Sequence, residues 1–216
     1  MITDLDLAIF MGRAYDDPPT FSSNGTQCSL YKIDDATVYA VRGTTKNYAD
    51  IKTDLRGLPS FDIDLGWGHS GFQSAALAIW PLIEASVYEQ FVSHRRVIYV
   101  GHSLGGAVAT NLARLTLKRR LGTPLALITC GSPRVGLGSD LNESLASIPH
   151  RRRYVNGDDA VTTHPWSVWG FRHVDELERL GTRHWHLGWW GVGRWHNHRM
   201  QEYIDRIQRY PRRILR

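Results

Sequence analysis

Lysine is scarce in this 216-residue chain: only Lys32, Lys46, Lys52 and Lys118 occur, although Lys and Arg together number 26. Arginine therefore supplies nearly all of the positive charge behind the net +5. Cysteine is scarcer still, with Cys28 and Cys130 alone. One distant pair is no disulfide framework, and the two read as buried, reduced thiols. No run of about 18 apolar residues is present, which excludes a membrane-spanning helix. No basic residue precedes Arg13, and Asp4 and Asp6 come first, so the N-terminus does not read as a secretory signal. The expected location is the cytoplasm, or outside the cell by export without a classical signal peptide. Neither an internal repeat nor a Pro/Gly/Ser-rich linker interrupts the chain, so residues 1–216 read as a single domain with a basic tail from about 206 to 216.

What is present suits a globular core: 42% hydrophobic and 22% charged residues. Apolar residues at helical spacing predict a helix over Leu5–Tyr15, closed by Asp16-Asp17-Pro18-Pro19. Ser29–Ile33 and Thr37–Val41 read as a hairpin around Asp34-Asp35. Phe72–Phe91 reads as a long helix kinked at Pro81, or as two helices. Val97–Val100 and Leu125–Thr129 are short all-apolar runs, the mark of strands buried on both faces, and Tyr154–Asn156 is a weaker one. Leu104–Arg120 reads as a helix with basic residues in its last turn and Gly122 beyond it. Met200–Tyr210 reads as a last amphipathic helix, stopped by Pro211. Strands alternating with helices predict an α/β fold around a mostly parallel sheet.

The chemistry concentrates directly after the first buried strand. Gly101-His102-Ser103-Leu104-Gly105 is a G-x-S-x-G turn that opens a helix. In that strand–turn–helix setting the glycines allow a turn that lifts Ser103 Oγ above the end of the sheet. The helix N-terminus then directs free amides at a reacting carbonyl. A serine hydroxyl needs a general base, and the base an orienting acid. On such a fold both follow the nucleophile in the chain.

Seven blocks in order give the chain a wider likeness. They are Arg42-Gly43-Thr44-Thr45, Asp50–Leu55, His69-Ser70-Gly71-Phe72, Gly101–Ala107, Cys130–Gly136, Asn156–Pro165 and Phe171-Arg172-His173. Together they resemble the class 3 lipases, a fungal-lipase-like branch of the α/β-hydrolases, from about residue 40 to 205. The resemblance implies an α/β-hydrolase fold with a mostly parallel central sheet flanked by helices, and a serine hydrolase that needs no cofactor and no metal.

It also implies roles. Asp159-Ala160-Val161-Thr162, with Pro165 six residues after the aspartate, is similar to the family's acid loop; this favours Asp159 over Asp158. Six histidines follow Asp159. Asn197-His198-Arg199-Met200-Gln201-Glu202-Tyr203 has the spacing of the block that carries the family's base, which points to His198, with His196 as its main competitor. His173 matches a structural block near the site, and His102 is expected to pack beneath it, turned away from Ser103. The oxyanion hole would combine the amides of Leu104 and Thr44, with the Thr44 hydroxyl as a third donor. The chain departs from the family at Ile51, where tryptophan is usual in the lid block, at Thr162 for proline, and at Asn197 for aspartate. Its length leaves room for only a small lid, so an open, accessible site is expected.

The resulting expectation is a lipase or esterase that cleaves acylglycerol or similar lipid esters through an acyl-enzyme. A phospholipase A1, a feruloyl-type esterase or an acyltransferase would share the triad. A non-enzymatic basic module using Arg151-Arg152-Arg153 and the C-terminal arginines is the reading from another class; nucleic-acid binding is not expected. Six of the eight tryptophans fall in Trp166–Trp195. That stretch suggests a flap in transient contact with a lipid surface, where Trp and Arg favour the interface. The same surface would draw on Arg151–Arg153 and the last arginines. His184, His186, His196 and His198 are spaced as metal ligands can be, but no Cys or carboxylate cluster joins them.

Overall fold

The computed structural model describes residues 1–43, 57–174, 177–181, 196–209 and 212. Thr44, the Asp50–Leu55 block, His184, His186 and four tryptophans of the Trp-rich stretch (Trp185, Trp189, Trp190 and Trp195) lie outside them.

The chain opens with helix α1 (Asp4–Arg13), started by a capping box in which the Thr3 and Asp6 side chains each bond the other's backbone amide. Strands β1 (Phe21–Ser23), β2 (Thr26–Ile33) and β3 (Ala36–Val41) follow as an antiparallel meander. The expected hairpin is β2–β3, with Asp34 at φ 49° in its turn. Strands β4 (Pro59–Asp62) and β5 (Gly66–His69) lead into helix α2 (Ser70–Val92). That helix is one element of 23 residues, with Pro81 on its exposed side. Next come β6 (Arg96–His102), α3 (Leu104–Lys118), β7 (Ala126–Cys130), β8 (Gly136–Leu137), α4 (Asp140–Leu145) and β9 (His150–Asn156). Strands β10 (Phe171–Arg172) and β11 (Leu177–Leu180) and helix α5 (Met200–Arg209) complete the fold.

The central sheet has the order β1-β2-β3-β6-β7-β9-β11, and from β3 to β11 every pair is parallel. This is the expected α/β-hydrolase arrangement. A second sheet, β10-β8-β5-β4, had no counterpart in the sequence reading because its strands are two to four residues long.

Strand periodicity divides the core. Tyr39, Val41, Val97, Tyr99 and Leu127 face α2 and α3, while Val38, Ala40, Ile98, Val100, Ala126 and Ile128 face α1 and α5. Both faces are covered, which is why β6 and β7 read as continuous apolar runs. Cys28 and Cys130 are buried free thiols.

The arginine triplet 151–153 proves to be structural. Arg152 Nη1 donates to both carboxylate oxygens of fully buried Asp4, at 2.8 and 2.7 Å. Arg151 donates to the Leu145 carbonyl and Arg153 to that of Val174. These half-buried cations hold β9 to its neighbours, which corrects their expected role as a basic docking surface. At the C-terminus, Arg212 pairs with Glu178 at 2.5 Å, and Arg206 lies 3.9 Å from Glu202. Among the described residues no helix is long and apolar enough to cross a membrane.

Candidate active site

The site forms beyond the C-terminal ends of β3, β6, β7 and β9, where loops leave a parallel sheet side by side. Ser103 stands between β6 and α3 with φ 58° and ψ −131°, a conformation that L-residues rarely adopt. Close backbone approach enforces it. A Cβ on Gly101 would lie 2.2 Å from the Gly105 carbonyl oxygen, and one on Gly105 would lie 2.1 Å from that of Val41. The Ser103 amide donates to the Cys130 carbonyl at 2.9 Å, which ties the turn to β7.

His198, just ahead of α5, reaches Ser103 Oγ through Nε2 at 2.8 Å and Asp159 Oδ2 through Nδ1 at 2.8 Å. All three residues are buried, with 2%, 6% and 1% of their surfaces exposed for Ser103, His198 and Asp159. An ionised carboxylate only accepts, so Nδ1 carries the proton and Nε2 offers its lone pair to the Ser103 hydroxyl. Asp159 accepts further bonds from the Tyr203 hydroxyl at 2.6 Å and the Val161 amide at 2.9 Å. The Asn156 amide donates to the Tyr203 oxygen at 3.1 Å, which turns the phenolic hydrogen toward Asp159. Burial first, and the Asp159 charge next, raise the Tyr203 phenol well above its ordinary pKa and keep it a donor.

The loop that carries Asp159 is fixed at several points. Its amide bonds Asn156 O at 3.0 Å, and the Thr162 hydroxyl returns to its carbonyl at 2.8 Å. Arg134 donates through Nη1 to the carbonyls of Thr163 and Pro165. His173 bonds the Thr162 carbonyl through Nε2 at 2.8 Å. Burial, followed by the nearby Arg153 and Arg134, pushes His173 down to about 3, so it stays neutral and donates. His173 is thus a strut of the acid loop, as its sequence block suggested.

The structure brings Ser103, Asp159 and His198 together. Asp158 is half-buried and outside this chain of bonds. His196 is solvent-exposed and bonds Glu202 at 2.9 Å, away from Ser103. Leu104 follows Ser103 in the first turn of α3, where amides have no intrahelical carbonyl to bond. An oxyanion at the helix entrance would meet such a donor. The expected second donor, Thr44, lies outside the described residues.

Ser103 itself is 2% exposed. Its turn is packed so tightly under the loop after β3 that a Cβ on Gly43 would sit 3.0 Å from Ser103 Cβ. Sequence reasoning missed Tyr15 as part of the site, and it gave Gly131 and Asn156 no role beyond membership of their blocks. It used Tyr203 only as a spacing mark, although a buried tyrosine one and a half turns after the base was a usable signal. Gly131 has φ +60°, and a Cβ there would lie 2.8 Å from Asp159 Oδ2 and 3.0 Å from His198 Nδ1.

Residues 38–169 match the family model described as lipase (class 3). Among curated proteins, the chain is 35% identical over 140 residues to secreted mono- and diacylglycerol lipase 1 of Fusarium solani, covering 63% of this chain and 41% of that protein. Among solved structures it resembles the triacylglyceride lipase of Rhizomucor miehei, with TM-score 0.67, 27% identity, and coverage of 74% of this chain and 64% of that one. A lipase from Rhizopus microsporus var. chinensis shares the fold, with TM-score 0.71, 22% identity, and coverage of 82% and 73%. The chain spans less than half the length of the curated relatives it matches.

Proposed function

This chain belongs to the lipase (class 3) family, and from that premise we propose that it is a serine carboxylic-ester hydrolase acting on acylglycerols or similar lipid esters. The observation that carries the reading is the unbroken hydrogen-bond chain Ser103–His198–Asp159, with both links at 2.8 Å, at the entrance of a helix.

In this reading Ser103 Oγ attacks the ester carbonyl carbon while its proton passes to His198 Nε2. Asp159 holds the imidazole in the tautomer that can accept, and stabilises the imidazolium that forms. The negative charge on the tetrahedral oxygen is met by the Leu104 amide and, by family resemblance, by Thr44. Each such donor is worth about 3–4 kcal/mol in the transition state. His198 returns the proton to the departing alcohol oxygen, which leaves Ser103 acylated. Water, deprotonated by His198, then attacks the acyl carbon; the acid departs and Ser103 regains its hydrogen. Every bond and proton is accounted for by these groups, so the reading calls for no cofactor.

The Fusarium solani relative supports acylglycerol as the substrate class. Exposed aromatic pairs, Phe61 with Trp67 and Trp166 with Trp169, support transient contact with a lipid surface. We read residues 1–216 as one hydrolase domain. The test is turnover of p-nitrophenyl esters of graded acyl length by the wild type and Ser103→Ala. We expect a loss on the order of 10⁶ in turnover, the scale set by removing such a nucleophile elsewhere. Turnover by Ser103→Ala at the wild-type rate overturns the proposal.

A further inference from the structure

Beneath the nucleophile turn lies a second set of polar groups that the hydrolytic steps do not use. His102, 5% exposed, turns away from Ser103. Its Nε2 lies 2.8 Å from the main-chain carbonyl oxygen of His198, and its Nδ1 lies 2.7 Å from the Tyr15 hydroxyl. The Tyr15 oxygen receives the Gly43 amide at 3.2 Å. Tyr15 stands just past the end of α1, and Gly43 immediately precedes Thr44.

The direction of every bond is fixed by what its partner can do. Burial first, and then the neighbouring His198, push His102 down to about 3. It is therefore neutral at working pH and owns one ring proton. A carbonyl only accepts, so that proton is on Nε2. Nδ1 must then accept, and its donor is the Tyr15 hydroxyl. The Tyr15 oxygen is left to accept the Gly43 amide. The bonds form one run, from the Gly43 amide through the Tyr15 hydroxyl to His102 Nδ1 and on from Nε2–H to the His198 carbonyl.

The two ends of this network have different work in the proposed reaction. At one end is the main chain of the base. Its preceding carbonyl, that of Asn197, is held by Asn156 Nδ2 at 2.9 Å. Two successive carbonyls at the base are thus clamped, one of them by His102. At the other end is the loop that leads to Thr44. A Cβ on Gly43 would lie 2.5 Å from the Tyr15 hydroxyl oxygen and 2.8 Å from the His102 carbonyl, so this loop sits directly against the pair.

We propose that Tyr15 and His102 are positioning residues of the hydrolytic reaction, with Tyr15 donating to the His102 tautomer that the His198 carbonyl fixes, so that the His198 main chain and the Gly43 loop are held in one frame around Ser103. This rests on the reading of His198 as the general base. Tyr15→Phe keeps the ring and removes only the hydroxyl. His102 Nδ1 then loses its donor and the Gly43 amide its acceptor. The imidazole is then held through Nε2 alone, and the ring and the Gly43 loop lose the contact that ties them together. Small displacements of reacting groups are costly in rate: about 1 Å is worth about 100-fold.

The experiment measures kcat and KM for a short soluble p-nitrophenyl ester in the wild type, Tyr15→Phe, His102→Phe and the double variant. A stoichiometric phosphonate counts the active sites in each preparation. The supporting result is a fall in kcat per titrated site of roughly 10- to 100-fold in Tyr15→Phe, with KM within about twofold. Non-additivity is also expected, the double variant being no slower than His102→Phe. Two-bond proton–nitrogen spectra should show His102 as the Nε2–H tautomer in the wild type. An unchanged kcat per site, even with fewer titrated sites, overturns the proposal, because that is what a merely structural role predicts. Additive losses or an Nδ1–H tautomer in the wild type overturn it equally. If instead Ser103→Ala retains activity, the hydrolase reading itself falls.

Discussion

Gly131 offers a perturbation whose size can be worked from distances. It follows β7, and its amide donates to the Tyr154 carbonyl at 3.0 Å. Replacement by alanine has two separable consequences. The first is backbone strain: φ is +60°, and an L-residue in the left-handed region costs roughly 1–2 kcal/mol. The second is collision. The new methyl would lie 2.8 Å from Asp159 Oδ2, 3.0 Å from His198 Nδ1 and 3.1 Å from His198 Cε1, closer than a side-chain carbon normally packs. Neither neighbour can yield freely. Asp159 is held by Tyr203 and Val161, and His198 by Ser103 and its clamped main chain. Relief must come from stretching the 2.8 Å link between them. A hydrogen bond to a charged group is worth about 1.5–3 kcal/mol. Losing the orienting carboxylate altogether costs up to about 10⁴ in kcat in a serine protease; a stretched link should cost about 100-fold. Gly138→Ala is the control, because Gly138 has φ +70° and nothing within 4 Å of its would-be Cβ. Both variants should lose stability to the backbone strain in urea unfolding, Gly131→Ala should lose further stability through the collision, and only Gly131→Ala should lose kcat on a soluble ester. Equal kcat in the two would refute the claim that the methyl strikes the Asp159–His198 pair.

The remaining predictions concern stability. Arg152→Met should cost about 3–5 kcal/mol, because it leaves the buried Asp4 carboxylate without its cation. Arg152→Met combined with Asp4→Asn should recover part of that; a loss below about 1 kcal/mol, the scale of an exposed pair, would show that Asp4 reaches solvent. For pH, His102 and His173 are both pushed down to about 3 by burial, so the folded protein keeps them neutral while the unfolded chain protonates them near 6.5. Their contribution is fully present above pH 6.5 and is lost as pH falls toward 3. Near pH 5 the stability slope from the pair should approach about 2.7 kcal/mol per pH unit. Urea midpoints that stay flat between pH 6.5 and 5 would refute this.

The elements that were legible in the sequence owe their signal to local pattern. β6 and β7 are covered on both faces and therefore apolar throughout, and α3 declares its ends with a glycine-rich turn and a basic last turn. The second sheet was illegible for the complementary reason. Strands of two to four residues, such as Gly136–Leu137 and Phe171–Arg172, are too short to show a period. They exist because the sheet pairs them across long separations. Pro81 left two readings open, a kinked helix or two helices. The structure has one element: α2 runs through Pro81, which lies on its solvent side, and packing by Ile79, Trp80 and Ile83 holds it.

The site divides along the same line. Ser103 was legible because its signal is a continuous turn: the glycines that permit the backbone also advertise it. Asp159 and His198 needed the family's spacing, since an acid and a base brought together from 39 residues apart leave no local mark. What supports them left still less. Tyr15 is 87 residues from the His102 it bonds, and nothing about a tyrosine after a helix distinguishes it from a packed ring. The arginine triplet shows the opposite failure, a strong local signal with the wrong meaning. Three adjacent cations suggested a docking surface, but β9 lies second from the edge of the sheet, where alternate side chains point to opposite faces, and each arginine there found a carbonyl or a buried carboxylate. Consecutive charges on a strand point to opposite faces of the sheet and do not form one surface. Their runs are therefore better read as separate partners sought on the two sides of the sheet, and for Arg152 that partner is the first-turn aspartate of α1, the helix that ends beside Tyr15.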